Sequence, residues 1–287
     1  DPWHLFFALF VNVGKINLFW QHDAIKLKVM VENYAMHEKA AIKHLAIDTH
    51  GKISHHTLSV NARIDEDINV RLTATGGINR KTPWQSTRWN GQFTELSDTG
   101  RLPVQLLEPA AFSGSAQSVS LDAARFSVSN GFIHIGQLHW MPQSWKTRGD
   151  FSGITLLPGM QPVSGQSNLQ LGGYWNFTSG AQLTGSLRIQ RERGDWHLPG
   201  DIPQPLGLEK LQLQATAQQG NLTGELELSS QLAGTVAAHV TLPLKQSAGG
   251  WSFADKAALH GNVAARISNL KWLNAILGDG IHTNGQL

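Results

Sequence analysis

The chain carries 13 histidines, and His55-His56 with His37, His44 and His50 is the grouping to which metal chemistry would first be assigned. Adjacent residues of a strand point to opposite faces, so His55 and His56 cannot chelate one ion together. There is no cysteine and no close carboxylate to complete a ligand set, so solvated strand positions account better for these rings. The acidic run Asp65-Glu66-Asp67 lacks the spaced oxygen ligands of a calcium loop and reads as a hairpin turn. Serines abound, yet none sits in a Gly-x-Ser-x-Gly elbow between strand and helix. No glycine-rich phosphate or dinucleotide loop is present either. Trp20, Trp84, Trp89, Trp140, Trp145, Trp175, Trp196, Trp251 and Trp272 stand singly beside turns. That placement suits plugs of strand ends or seals of an apolar surface better than sugar-stacking platforms. No catalytic residue, metal or cofactor is expected. A net charge of +2 with no basic stripe argues against nucleic acid as a partner.

What the residues specify instead is a period of two. From Leu222 to Leu244 the even positions are apolar or small, while the odd positions are mostly polar, among them Thr223, Glu225, Glu227, His239 and Thr241. Successive side chains of a strand point to opposite faces, so this period builds a sheet with one apolar and one wet face. The pattern recurs at Ile25, Leu27, Val29 and Val31, and on both sides of Asp65-Glu66-Asp67, from Leu58 to Ile64 and from Ile68 to Ala74. It returns at Val119, Leu121 and Ala123, then at Phe126 and Val128 before Asn130-Gly131, the dipeptide of a tight hairpin turn, with Ile133 and Ile135 beyond. Later runs hold Leu183, Leu187 and Ile189, then Leu211, Leu213, Ala215 and Ala217, then Leu259, Val263, Ala265 and Ile267. Roughly 16 to 20 strands follow from such run-and-turn signals. Charged residues are only 15% of the chain, below the roughly 25% usual in soluble domains, as suits wet faces built from Ser, Thr and Gln.

Helix is scarce. Leu270, Leu273, Ile276 and Leu277 share one helical face, with Ser268 or Asn269 as N-cap and Gly278 as terminator. A weak repeat places glycine on the apolar side, as in Leu183-Thr184-Gly185-Ser186-Leu187, Leu222-Thr223-Gly224-Glu225-Leu226 and Leu259-His260-Gly261-Asn262-Val263. The expected fold is all-β: an elongated, curved, antiparallel-type sheet rolled into an open hydrophobic groove, with at most one or two short helices. Gly, Ala and Ser dilute its inward positions, as expected of a face with room for a guest; a self-filled β solenoid or sandwich is the alternative way to cover it. The 287 residues are expected to form one continuous groove segment of a longer chain, with a sub-boundary near 155–165. No run of about 18 apolar residues offers a membrane-spanning helix.

Several ordered motifs carry a family resemblance. Trp196-His197-Leu198-Pro199-Gly200-Asp201-Ile202-Pro203, Leu206-Gly207-Leu208, Gly234-Thr235-Val236 and Leu242-Pro243-Leu244 resemble the TamB family of translocation and assembly module subunits. So do Asn269-Leu270-Lys271-Trp272-Leu273 and Gly285-Gln286-Leu287, and upstream Trp89-Asn90-Gly91-Gln92-Phe93 and Leu107-Glu108-Pro109-Ala110 fall in the family's order. The similarity runs from about Ile42 onward. It departs from the family near Ser115 to Val119, where relatives carry cysteines and this chain has none. Within the wider AsmA-like and bridge-like lipid-transfer superfamily, the resemblance implies a groove protein of the periplasm, anchored in the inner membrane by an N-terminal helix outside this segment. It further implies partnership with the outer-membrane barrel TamA. The implied roles are anterograde phospholipid transport and the assembly of autotransporters and other outer-membrane proteins.

Two functional expectations result. In the first, inward apolar residues form a slide for phospholipid acyl chains, lined by Leu213, Leu226, Leu228, Val236, Val240, Leu242, Leu259, Val263 and Ile267. Each sheltered methylene gains roughly 0.8 kcal/mol. In the second, an open sheet edge takes up a client strand by β-augmentation, making the chain a scaffold for outer-membrane protein assembly.

Overall fold

The structure is a computed structural model. It describes residues 14–21, 24–37, 40–65, 68–79, 87–100, 103–155, 168–198, 204–247, 250–253 and 260–267. Twenty strands and no helix occur among them, and the fold is all-β with antiparallel pairing throughout. The expected helix at 270–277 and the expected sub-boundary at 155–165, past residue 155, lie outside the described residues. The chain divides into two compact units, Asp1–Ser129 with Gln137–Met141, and Asn130–Gly136 with Pro142–Leu287.

The first unit runs through β1 (Gly14–Gln21), β2 (Ala24–His37), β3 (Ala40–Lys52), β4 (His55–Ile64), β5 (Ile68–Asn79) and β6 (Arg88–Asp98), each pairing with the next. Beyond β6 one lane of the sheet is filled in two pieces, β7 (Val104–Leu106) and β8 (Ala110–Ser115), and β9 (Ser118–Val128) pairs with both. Register converts the period of two into rows that cross the strands. Val29, Ile47, Val60, Leu72 and Leu96 are successive partners, and so are Lys28, Asp48, Ser59, Thr73 and Glu95 on the opposite face. Where the acidic hairpin turn is expected, Ile64 pairs with Ile68 and Asp65 adopts a positive φ of 51°, while Glu66 and Asp67 lie outside the described residues.

The apolar positions of β9 change from odd to even between Leu121 and Phe126, and a bulge supplies the reason. Ala123 takes φ 52° and is exposed, while Ala124 is wholly buried. The alternating pattern expected Ala123 on the same side as Leu121. One extra residue reverses the facing of everything after it.

Strand β10 (Gly131–Met141) contributes to both units, and the turn before it falls at Ser129-Asn130, with Ser129 at φ 52°, one residue earlier than the expected Asn130-Gly131. The second unit continues with β11 (Ser144–Thr155), β12 (Gln170–Ser179), β13 (Leu183–Arg193), a small hairpin β14 (His197–Leu198) and β15 (Gln204–Pro205), β16 (Leu208–Gln218), β17 (Asn221–Ser230), β18 (Gly234–Ser247), β19 (Gly250–Phe253) and β20 (His260–Arg266). Its ladder runs β11, β12, β13, β16, β17, β18, β20. β16 and β17 meet at Gln219-Gly220, whose φ values of 51° and 74° give the two-residue turn that suits a twisted hairpin. Among the described residues β14 and β15 pair with each other, and β19 pairs with the far end of β18.

Candidate functional site

In the second unit the apolar residues fall into transverse rows. Phe151, Gly173, Ile189, Leu213, Leu226, Ala238 and Val263 are successive register partners across seven strands. One step along the strands the row is Gly149, Trp175, Leu187, Ala215, Gly224, Val240 and Gly261. Flanking rows join Leu211, Leu228, Val236 and Ala265 on one side, and Phe177, Gly185, Ala217, Leu222 and Leu242 on the other. The intervening rows are polar, as in Tyr174, Arg188, Gln214, Glu225, His239 and Asn262. Cross-strand pairs on this wet face carry its charges, with Lys210 against Glu227 and His239 Nδ1 3.6 Å from Glu225.

Seven of the nine predicted lining residues, Leu213, Leu226, Leu228, Val236, Val240, Leu242 and Val263, share this face. Ile267 follows β20 and is half-buried, while Leu259 lies outside the described residues. Leu211, Leu222, Leu187, Ile189 and Phe151 extend the same surface. The first four stand in the alternation that identified their neighbours, so the signal for them was present in the sequence.

The apolar face is not a dry core. On β17 and β18 the wet positions Glu225, Glu227, Thr235, Ala237 and His239 are exposed, and the apolar positions between them are only half-buried. Leu213 remains 37% exposed and Val263 73%. The largest wholly buried side chain among the described residues is Leu169, which belongs to a small cluster with Leu206, Leu208 and Ala233. Trp196, Leu211, Leu228 and Leu232 pack against that cluster, so it caps one end of the apolar rows. A polar knot holds the cap. The Asp195 carboxylate accepts the N–H groups of Trp196 (2.8 Å), Gly207 (2.8 Å) and Leu208 (3.0 Å). The Ser230 hydroxyl donates to the Leu206 carbonyl and accepts the N–H of Ala233 at 3.0 Å. Composition and period give no sign of this knot, because its members are brought together by the inserted hairpin.

Three glycines on the apolar side, Gly76, Gly91 and Gly149, make floors for indole rings. Gly149 and Trp175 are register partners, and a Cβ at Gly149 would land on the Trp175 ring and the His134 carbonyl. The Trp175 N–H donates to Thr147 Oγ1 at 2.9 Å. In the first unit Gly76 and Gly91 are partners beneath Trp89, whose N–H donates to His56 Nε2 at 2.9 Å. His56 is 6% exposed, and its Nδ1 lies 3.1 and 3.2 Å from the carbonyls of Lys52 and Ile53. Nε2 accepts the indole N–H while Nδ1 faces the two carbonyls, so both ring nitrogens are occupied. Its neighbour His55 is exposed on the other face, as alternation required.

Among the described residues no group of three His, Cys, Asp or Glu side chains could hold a metal ion, and no helix is long and apolar enough to cross a membrane. No protein-family model, no curated protein and no solved structure matches the chain.

Proposed function

We propose that the apolar face of the second unit shelters phospholipid acyl chains, as a segment of a conduit that carries phospholipid between the inner and outer membranes. One observation carries this reading: rows of apolar residues and glycines in register across seven strands, rich in Leu, Val and Ile, remain partly exposed on a face opposite a mostly polar one. An apolar surface of that extent in water needs an occupant. Tails laid across the rows would supply the missing layer at roughly 0.8 kcal/mol per sheltered methylene, while headgroups stay in solvent. Operation in the periplasm, with an outer-membrane barrel such as TamA as partner, rests on the family resemblance of the motifs. The test places a charge on the slide. Val236→Arg or Leu242→Arg should stop lipid passage while strand pairing persists; normal flux through a folded variant argues against the conduit.

A second reading is favoured by β20. It pairs with β18 alone among the described residues, and all seven of its residues are exposed. Such an edge offers a backbone template to an incoming strand of an outer-membrane protein client. Photoreactive residues along β20 would then capture client polypeptide, whereas lipid captured only at inward positions would favour the conduit.

A further inference from the structure

Where β17 turns into β18, the wet face of the second unit holds a pocket of about 430 Å³. Two register rows form it: Glu227, Ala237 and Ala264, then Ser229, Thr235 and Arg266. The row between them, Leu228, Val236 and Ala265, points to the apolar face and contributes only backbone here. Lys210 of β16 stands at the side, its ammonium paired with Glu227 Oε2. The floor is low because Ala237 and Ala264 are methyls where the next row along has Glu225, His239 and Asn262. Gly234 fixes the far corner. Its φ is 82°, and a Cβ there would fall on the Arg266 carbonyl oxygen, so only glycine lets the backbone of Arg266 lie this close to the start of β18.

The charges suit a paired ligand better than a simple anion. Lys210 is matched by Glu227, and the Ser229 hydroxyl donates to Glu209 Oε2 at 3.1 Å, so a dianion would meet two carboxylates. Arg266 is exposed, and among the described residues its guanidinium makes no ion pair or hydrogen bond. Its fork is therefore left for a ligand, and a singly charged phosphodiester fits it bidentately. Glu227 gives Oε2 to Lys210 and keeps Oε1. Strand spacing and rise put the Cα atoms of Arg266 and Glu227 about 12 Å apart, near enough for both side chains to reach one small molecule on the alanine floor. A primary ammonium can donate to Glu227. A quaternary one cannot, and the aromatic cage that such a group needs is missing, since no aromatic side chain lines this pocket.

We propose that this pocket seats a phosphoethanolamine headgroup, its phosphodiester on Arg266 and the Thr235 hydroxyl and its ammonium on Glu227. Ala264 and Arg266 belong to β20, which pairs with β18 alone among the described residues, so a lipid held here reaches Val263 and Ala265 on the apolar face around that edge. Naming a lipid as the source rests on the conduit reading; the pairing of charges in the pocket does not.

Glycerophosphoethanolamine, which has the headgroup and no acyl chain, tests the pocket by NMR titration against the 287-residue chain. It should bind about tenfold tighter than glycerophosphocholine, the effect of one charge-assisted hydrogen bond, and inorganic phosphate should not compete. Arg266→Gln should weaken it about tenfold or more, and Glu227→Gln should erase the preference over glycerophosphocholine. Ala264→Leu leaves every charge in place, fills the floor and should abolish binding. Thermal melts confirm that each variant is folded. In a second arm, vesicles of mixed phosphatidylethanolamine and phosphatidylglycerol supply the lipid. The parent should take up phosphatidylethanolamine in preference, and Arg266→Gln should remove that preference. No binding of glycerophosphoethanolamine, or binding unaltered in Arg266→Gln, overturns the site. Binding of the soluble ester without any preference among lipids overturns the lipid as its source. A parent that takes up no phospholipid overturns the conduit reading, and the titration with the soluble ester still decides the pocket.

Discussion

Replacing Leu226 by Gln separates an open apolar face from a packed core. Leu226 sits mid-row between Leu213 and Ala238, half-buried, beside a leucine that is 37% exposed. Complete burial of a leucine is worth about 1.5–3 kcal/mol, so a half-buried one contributes about 1 kcal/mol to the lipid-free fold. In a two-state domain of 150–250 residues that corresponds to a fall in Tm of about 2–4 °C. The effect on lipid is larger. Losing contact with about two methylenes at ~0.8 kcal/mol each removes ~1.6 kcal/mol, roughly a 15-fold loss of retention. The assay compares thermal melts of delipidated protein with phospholipid retained in native mass spectra, using Glu225→Gln on the opposite face as control. The control should leave retention unchanged. If Leu226→Gln destabilises the lipid-free chain by more than about 3 kcal/mol, the site is a self-packed core and the reasoning fails. Unchanged retention refutes it equally.

Other perturbations probe the supports. Gly149→Ala should cost about 1–3 kcal/mol by overpacking against Trp175 and the His134 carbonyl, read as a lowered denaturation midpoint. Asp195→Ala strips the acceptor from the Gly207 and Leu208 N–H groups and should destabilise the cap by about 2–4 kcal/mol, with faster hydrogen exchange at those two amides. His56→Phe leaves the Trp89 N–H without its acceptor and should cost about 1–3 kcal/mol in thermal melts, with changed Trp fluorescence.

The alternation from Leu222 to Leu244 was sufficient to assign β17 and β18, their facing and the shared face of Leu226, Leu228, Val236, Val240 and Leu242, because register follows from a strict period once one face is apolar. The antiparallel pairing of β4 with β5 was equally plain from the alternating runs on either side of Asp65. What the sequence concealed are departures from the period. Ala123 bulges out of β9 although nothing in Leu121-Asp122-Ala123-Ala124 distinguishes it locally, apart from the parity change completed at Phe126. Gly76, Gly91 and Gly149 on the apolar side are floors for Trp89 and Trp175, and only tertiary proximity reveals that. The Asp195–Gly207, Asp195–Leu208 and Trp251–Ser179 contacts join residues 12, 13 and 72 positions apart. Such contacts depend on where each element ends, and strand ends are the least legible feature of a periodic sequence.

The most direct measurement places a photoreactive side chain at position 226 or at position 225, neighbours on opposite faces of one strand. Illumination in the presence of phospholipid vesicles, followed by mass spectrometry, should yield phospholipid adducts at 226 and none at 225. Equal capture at both positions, or adducts at 226 only to the chain's own peptides, contradicts an apolar face occupied by lipid.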